Sequence, residues 1–209
     1  MKPKKTPAAD FGNKAIATRE SLKRSAVKLI NAQGYSRVRV EDITEDAGVA
    51  KGLFYRYFTN LMDITRVVCE ELFESIEAQA PERYRGKSSA YAWLLTYASV
   101  PVTKFSDNPG LLACMFELHG SFPEISEAWQ VFAHRYNVRM EAVIREAGMS
   151  AKEAKDLCFI LGAAAEGIIY QALVRGTPDL NKLAGNANTL SETIAKMWYR
   201  SIFLEAPGK

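Results

Sequence analysis

The sequence predicts an all-α protein of about nine helices, and three observations carry that expectation. Apolar residues recur at three- and four-residue steps over most of the chain, no segment alternates as a strand would, and glycines, prolines and capping residues sit where the periodic stretches end. A chain of 209 residues, 48% hydrophobic and 24% charged, can bury a proper core without disulfides or metals.

Residues 1–13 hold Lys, Pro, Ala and Gly without periodicity and read as a flexible basic arm. A first helix begins near Lys14, with Leu22, Ala26, Leu29, Ile30 and Gln33 on one face, Arg19, Lys23 and Lys28 on others, and Gly34 as its stop. A short second helix spans Glu41 to Ala47 and a third Lys51 to Phe58, with only Gly48, Val49 and Ala50 between them. Asn60 caps a fourth helix running to about Gln79, whose inner face is Ile64, Val67, Val68 and Leu72. The polar stretch Pro81 to Ser88 is a loop. Beyond it, one helix runs from Ser89 to about Phe105 with a kink at Pro101, and the next opens at Asn108 and Pro109 and closes at Gly120. A long helix from about Pro123 to Ala147 follows, and Ser150 with Glu153 forms a capping box for another that reaches Arg175. A loop with room for one short turn leads to a final helix from about Ala187 to Leu204.

Charge is unevenly placed. Residues 1–60 hold 12 Lys and Arg against 6 Asp and Glu, whereas residues 61–209 hold 15 against 18. A basic N-terminal module on a mildly acidic body suits a protein that presents one face to a polyanion. No stretch approaches the roughly 18–20 uninterrupted apolar residues of a membrane span, and the charged start lacks the apolar run of a secretory signal. Cys69, Cys114 and Cys158 are far apart and outside any CxxC spacing, which favours reduced thiols and a cytoplasmic protein. No hydrolase, metalloprotease, phosphate-loop or dinucleotide fingerprint is present, so neither an enzyme nor a cofactor is expected. His119 and His134 lie fifteen residues apart without a supporting Cys or carboxylate pattern, and no metal site is expected.

The stretch from Val40 to Phe58 carries the most chemistry. Two short helices meeting at a steep angle need a small residue at the approach, a turn residue that accepts a left-handed backbone, and an apolar residue to lock the corner; Ala47, Gly48 and Val49 supply these in order. Ile43, Phe54 and Phe58 then face the first helix. By the same four-residue spacing Lys51 with Tyr55, Gly52 with Arg56, and Leu53 with Tyr57 form the outer rows of the third helix. Such a face suits DNA: Arg and Lys reach phosphates or guanine edges, tyrosine hydroxyls donate to phosphates, Gly52 lets the backbone approach closely, and Leu53 can touch a thymine methyl. Arg37 and Arg39, just before the second helix, add backbone contacts that fix register. Tyr55 and Tyr57 can instead cover the core, and Arg37 can be a solvated loop charge.

Residues about 18–72 resemble the N-terminal domain of the TetR family of bacterial transcriptional regulators. The resemblance rests on the run Gly48-Val49-Ala50-Lys51-Gly52-Leu53-Phe54-Tyr55-Arg56-Tyr57-Phe58, with Gly34-Tyr35 also in place. It implies a dimer in which each third helix enters a major groove of a palindromic operator in double-stranded DNA, and a C-terminal domain gated by a small-molecule effector. The expected organisation is a basic arm (1–13), a helix-turn-helix domain (14–60) and a ligand-binding and dimerisation domain (61–209), most simply a repressor released by a small apolar or amphipathic effector. Two departures from the family pattern stand out, one of them over two adjacent residues. Val38 and Arg39 stand where small hydroxyl residues usually cap the second helix, so Arg39 is expected as a charged substitute, and Leu61 replaces a usual Lys. These departures keep open an alternative, a small-molecule binding protein of the same fold with weak or lost DNA binding.

The segment Leu157 to Val174 is apolar on nearly every face and needs cover all round. A homodimer through about 154–175 and 187–204 is the expected cover, with Leu190, Ile194, Met197, Trp198, Ile202 and Phe203 of the final helix beside it. Trp93, Tyr97, Met115, Phe116, His119, Trp129, Phe132 and Tyr170 supply aromatic and soft side chains for an apolar ligand pocket, although an all-α core uses the same residue types. Glu166, alone in its apolar helix, is the candidate for a cationic or hydroxyl-bearing ligand, or for a partner-subunit group, against an ordinary buried hydrogen bond.

Overall fold

The computed structural model describes residues 8–81, 84, 86 and 89–203, with the backbone alone for 8–12, 181, 183 and 184. Among the described residues there are ten α-helices and no strand: α1 (Ala8–Gln33), α2 (Val40–Asp46), α3 (Lys51–Phe54), α4 (Leu61–Gln79), α5 (Ala90–Ser106), α6 (Pro109–His119), α7 (Pro123–Glu146), α8 (Ala151–Leu173), α9 (Pro178–Ala184) and α10 (Ala187–Phe203). A single turn of 3-10 helix at Tyr35–Arg37 joins α1 to α2. The all-α expectation holds, and the tenth helix is α9, in the loop where one short turn was expected.

The first helix starts at Ala8 rather than near Lys14, so part of the expected arm is helical; residues 1–7 of that arm lie outside the described residues. Leu22, Ala26 and Ile30 are fully buried, but Gln33 is exposed at the helix end. Lys23, expected on an outer face, is instead buried where α1 meets α4. Its ammonium bonds to Glu71 at 2.5 Å and to Glu20 at 2.7 Å. Burial pulls its pKa down, yet the two carboxylates outweigh burial and the net shift is upward.

α4 opens as predicted: the Asn60 side chain accepts from the Asp63 N–H at 2.9 Å, and Asp63 returns an acceptor to the Thr59 N–H at 2.9 Å. Packing against α1 on one side and α7 on the other, α4 joins the N-terminal helices to the rest, and the buried apolar core runs without a break from Leu22 to Ile202.

Pro101 lies inside α5 and, having no N–H, leaves the Tyr97 carbonyl without its helical donor. The Tyr136 hydroxyl of α7 fills that place, donating to the Tyr97 carbonyl at 2.6 Å, while the Tyr97 hydroxyl donates to the Tyr136 carbonyl at 2.6 Å. The two rings stack with centroids 4.3 Å apart.

Asn108 stands at the N-cap of α6 but its side chain does not cap; it donates to the Lys104 carbonyl at 2.9 Å. The cap comes from α1, because the Asn31 carboxamide oxygen accepts from the N–H groups of Gly110 at 2.9 Å and Leu111 at 3.1 Å. The capping box of α8 is as expected, with Ser150 and Glu153 bonded reciprocally at 3.3 and 3.0 Å.

Two C-terminal expectations change. α10 lies along α5 and buries Leu190, Ile194, Trp198 and Ile202 inside its own subunit, so these residues do not form a free face. α8 is, by length and composition, apolar enough to cross a membrane even though Glu166 interrupts it, and only 28% of its most apolar window is buried. Its inner side packs on α7 and α9, and Trp198 donates its indole N–H to the Leu161 carbonyl at 3.2 Å. The outer side leaves Phe159 (75% accessible), Ile160 (61%), Ala163 and Gly167 in solvent.

Candidate nucleic-acid interface and effector site

The corner between α2 and α3 is built as its residues require. Gly48 has φ of +66°, a conformation that a side chain resists, and its N–H bonds to the Glu45 carbonyl at 3.0 Å while Val49 N–H reaches Thr44 at 3.0 Å. Ile43, Phe54 and Phe58 are buried beneath it, with the two phenylalanine rings 5.7 Å apart. Arg19 of α1 places its guanidinium 5.3 Å from the centre of the Phe58 ring.

α3 is shorter than predicted. Regular helix ends at Phe54, and residues 55–57 form a tight turn in which the N–H groups of Arg56 and Tyr57 bond three residues back. Burial of Phe58 at the end of this turn replaces the last helical turn, and the outward set survives the change. Lys51, Gly52, Tyr55 and Arg56 are exposed, and Leu53 and Tyr57 are half-buried with Tyr57 against the core. A methyl group added at Gly52 meets nothing within 4 Å, so no atom of the chain itself requires glycine there.

Arg39 is the N-cap residue of α2 and is exposed, while Val38 is buried. A guanidinium has no acceptor and cannot cap; instead Asp42 accepts from the Arg39 N–H at 2.8 Å. Among the described residues no carboxylate pairs with Arg37, Arg39 or Arg56. Lys51 does have a partner, Glu41 of α2, whose carboxyl is held below the usual range by the hydrogen bond from Lys51, while the Lys51 ammonium is raised by the same bond. Leu61 is half-buried against the core at the start of α4.

The residues singled out for a ligand pocket fall largely on one connected path of rings. Trp93 stacks on Tyr97 at 4.8 Å, Tyr97 on Tyr136, Tyr136 meets Phe132 at 5.5 Å, Phe132 meets Trp129 at 5.9 Å, Trp129 meets Phe116 at 5.9 Å, and Phe116 lies 4.1 Å from Tyr170. Trp93, Tyr97, Met115 and Phe132 are buried, and the Trp93 indole N–H has no partner among the described residues. Glu166 sits at the Tyr170 end of this path: burial raises its carboxyl, and the nearby His119 and the Trp129 indole oppose the shift. His119 itself is exposed at the end of α6. An open groove of about 450 Å³ between α4 and α7 has Phe73 and Phe132 among its lining residues, stacked 4.5 Å apart, with Glu70, Glu74, Glu127 and Arg135 beside them. Of the residues singled out, only Phe132 reaches this groove.

Sequence reasoning missed Lys23, Asn31 and Tyr136 as polar ties between helices. Each partner is 39 or more positions away, and local periodicity carries no signal of it. A glycine in the first turn of α6, directly after Pro109, is the one local sign that another backbone approaches there.

Residues 23–61 match the family profile described as bacterial regulatory proteins, tetR family. The chain carries a TetR-family N-terminal domain. The TetR match spans α2, the Gly48 turn and α3 together with the C-terminal part of α1. No curated protein matches the chain. Among solved structures, the fold is similar to a transcriptional regulator from Rhodococcus sp. Rha1 (18% identity, 90% of this chain and 99% of that one, TM-score 0.73). It is also similar to a protein described as a transcriptional regulator from Saccharomonospora viridis in complex with choline (17%, 86% and 94%, 0.69). A third is the transcriptional regulator FadR from Bacillus subtilis in complex with stearoyl-CoA (21%, 83% and 97%, 0.58). At these identities the likeness shows a shared fold over 83–90% of the chain.

Proposed function

We propose that the chain is a ligand-responsive DNA-binding transcriptional regulator that acts as a homodimer in the cytoplasm. The observation that carries the DNA half is the outward face of α3 and its turn. Lys51, Tyr55 and Arg56 project into solvent around a Gly52 that no interior packing needs, on the basic N-terminal domain of a TetR-type protein. Arg56 and Lys51 are the residues to contact phosphates or guanine edges, Tyr55 and Tyr57 donate to phosphates, Leu53 reaches a thymine methyl, and Arg39 supplies the backbone contact that the missing hydroxyl cap and Leu61 do not. The division into a DNA-binding domain over 14–60 and a ligand-binding and dimerisation domain over 61–209 belongs to the same reading.

For the effector half, the support is the meeting of Phe116, Trp129, Tyr170 and Glu166 where α6, α7 and α8 converge. An apolar or amphipathic effector entering among these rings, with a cation or hydroxyl set against Glu166, would displace α6 and α7 and so favour one spacing of the two α3 helices over another. Repression relieved by effector is the output proposed. Selection of bound sequences from a random DNA pool, followed by a screen for compounds that release the selected DNA, tests both halves. A palindromic consensus whose affinity falls steeply with salt is the expected result. A chain that selects no sequence and shows no salt-dependent binding would favour the small-molecule binding protein instead.

A further inference from the structure

α1 and α6 meet more closely than a pair of ordinary helices can. A methyl group at Gly110 would lie 2.4 Å from the Asn31 Cα and 2.5 Å from the Ile30 carbonyl oxygen, both backbone atoms in the last turn of α1. Asn31 locks the same contact with its side chain: one carboxamide oxygen takes the N–H groups of Gly110 and Leu111, and its NH₂ donates to Asn108 at 3.2 Å. Pro109 has no N–H to satisfy, so Asn31 accounts for the free donors of the first turn of α6. Ile30, next in sequence, is fully buried in the core that supports α2 and α3. A bond set of this kind has one geometry, and sliding α6 by a fraction of a turn would break three hydrogen bonds and drive two backbones together.

We propose that Asn31 and Gly110 are positioning residues for DNA recognition: they make α1 and α6 one rigid unit and so fix the angle at which the body holds α3. The proposal rests on the DNA-binding reading above. In a dimer that angle sets the separation of the two α3 helices, which decides whether two half-sites are engaged together. It has no bearing on how one α3 reads one half-site.

The test compares the full-length chain with Gly110→Ala, Asn31→Leu and Asn31→Asp on a palindrome selected with the unsubstituted chain and on an isolated half-site from it. Gly110→Ala and Asn31→Leu should bind the half-site as before and lose at least about tenfold on the palindrome, where double engagement supplies the extra affinity. Renewed selection with either variant should return a changed half-site spacing. Asn31→Asp keeps the acceptor for both N–H groups at a helix N-terminus and should behave as the unsubstituted chain. Equal losses on palindrome and half-site, or no loss on the palindrome, would overturn the proposal. Should Gly110→Ala fail to fold, Asn31→Leu decides the matter. Hydrogen exchange gives a readout without DNA: the Gly110 and Leu111 amides should be as protected as those of the middle of α1, and rapid exchange there would also overturn it. Failure of the underlying reading shows separately, as an unsubstituted chain that selects no sequence at all.

Discussion

Under the proposed DNA-binding role, Gly52 sets the stability of α3 against its use. Glycine in a helix costs about 0.5–1 kcal/mol relative to alanine, and here no neighbouring atom needs the space. Gly52→Ala should therefore raise the urea midpoint by an amount equivalent to about 0.5–1 kcal/mol while lowering operator affinity, because the methyl stands between backbone and DNA. A variant that gains stability and keeps its affinity would remove Gly52 from the interface. Glu41 makes the neighbouring case. Its bond to Lys51 must be given up when Lys51 meets a phosphate, and it then leaves a carboxylate facing a polyanion. Glu41→Gln should strengthen binding to non-specific DNA, read as a lower half-saturating protein concentration in fluorescence anisotropy. The sign with pH follows from the depressed carboxyl of Glu41: the pair is intact above the ordinary carboxylate range and is lost only as pH falls through its lowered value. The advantage of Glu41→Gln should accordingly be full near neutrality and shrink in acid.

At the scale of elements, the seam between α5 and α7 shows how one helix repairs a defect in another. Tyr136→Phe removes the donor to a buried carbonyl that Pro101 has already deprived of its helical partner, and should cost about 1–3 kcal/mol in urea unfolding. In a Pro101→Ala background the restored N–H at position 101 takes that carbonyl, so the same substitution should cost distinctly less, and the difference is the coupling energy of a double-mutant cycle. Burial raises both phenols, so above the ordinary value of 10.0 the unfolded chain sheds protons first and stability falls as pH rises. Tyr136→Phe should flatten that alkaline limb. The corner at Ala47, Gly48 and Val49 and the burial of Ile43, Phe54 and Phe58 were legible in the sequence, because steric need and four-residue spacing act over a dozen neighbours. The early end of α3, the cap lent by Asn31 and the burial of Lys23 were not, because each depends on a partner that only the tertiary fold brings near.

At the scale of the whole molecule, the apolar excess of α8 was legible and its covering was only half so. α10 turns its apolar residues to α5, so the expected pairing of two free apolar helices reduces to one unpartnered face on α8. Phe159, Ile160, Ala163 and Gly167 lie on successive turns, large residues beside small ones, which lets a second α8 approach closely with the large side chains packed alongside. A two-fold dimer places each of these residues at the interface twice, so a charge introduced there is felt twice. Phe159→Arg removes the most exposed large apolar side chain among the described residues and adds a charge to each half. At about 2 kcal/mol per interface anchor the dimer should weaken by about 4 kcal/mol, close to a thousandfold in dissociation constant. Light scattering at micromolar concentration should then report a monomer for Phe159→Arg and a dimer for the unsubstituted chain, with helical circular dichroism unchanged. Loss of the dimer should also abolish the preference for a palindrome over its half-site. A variant that stays dimeric would show that the α8 face is covered by something other than a second copy.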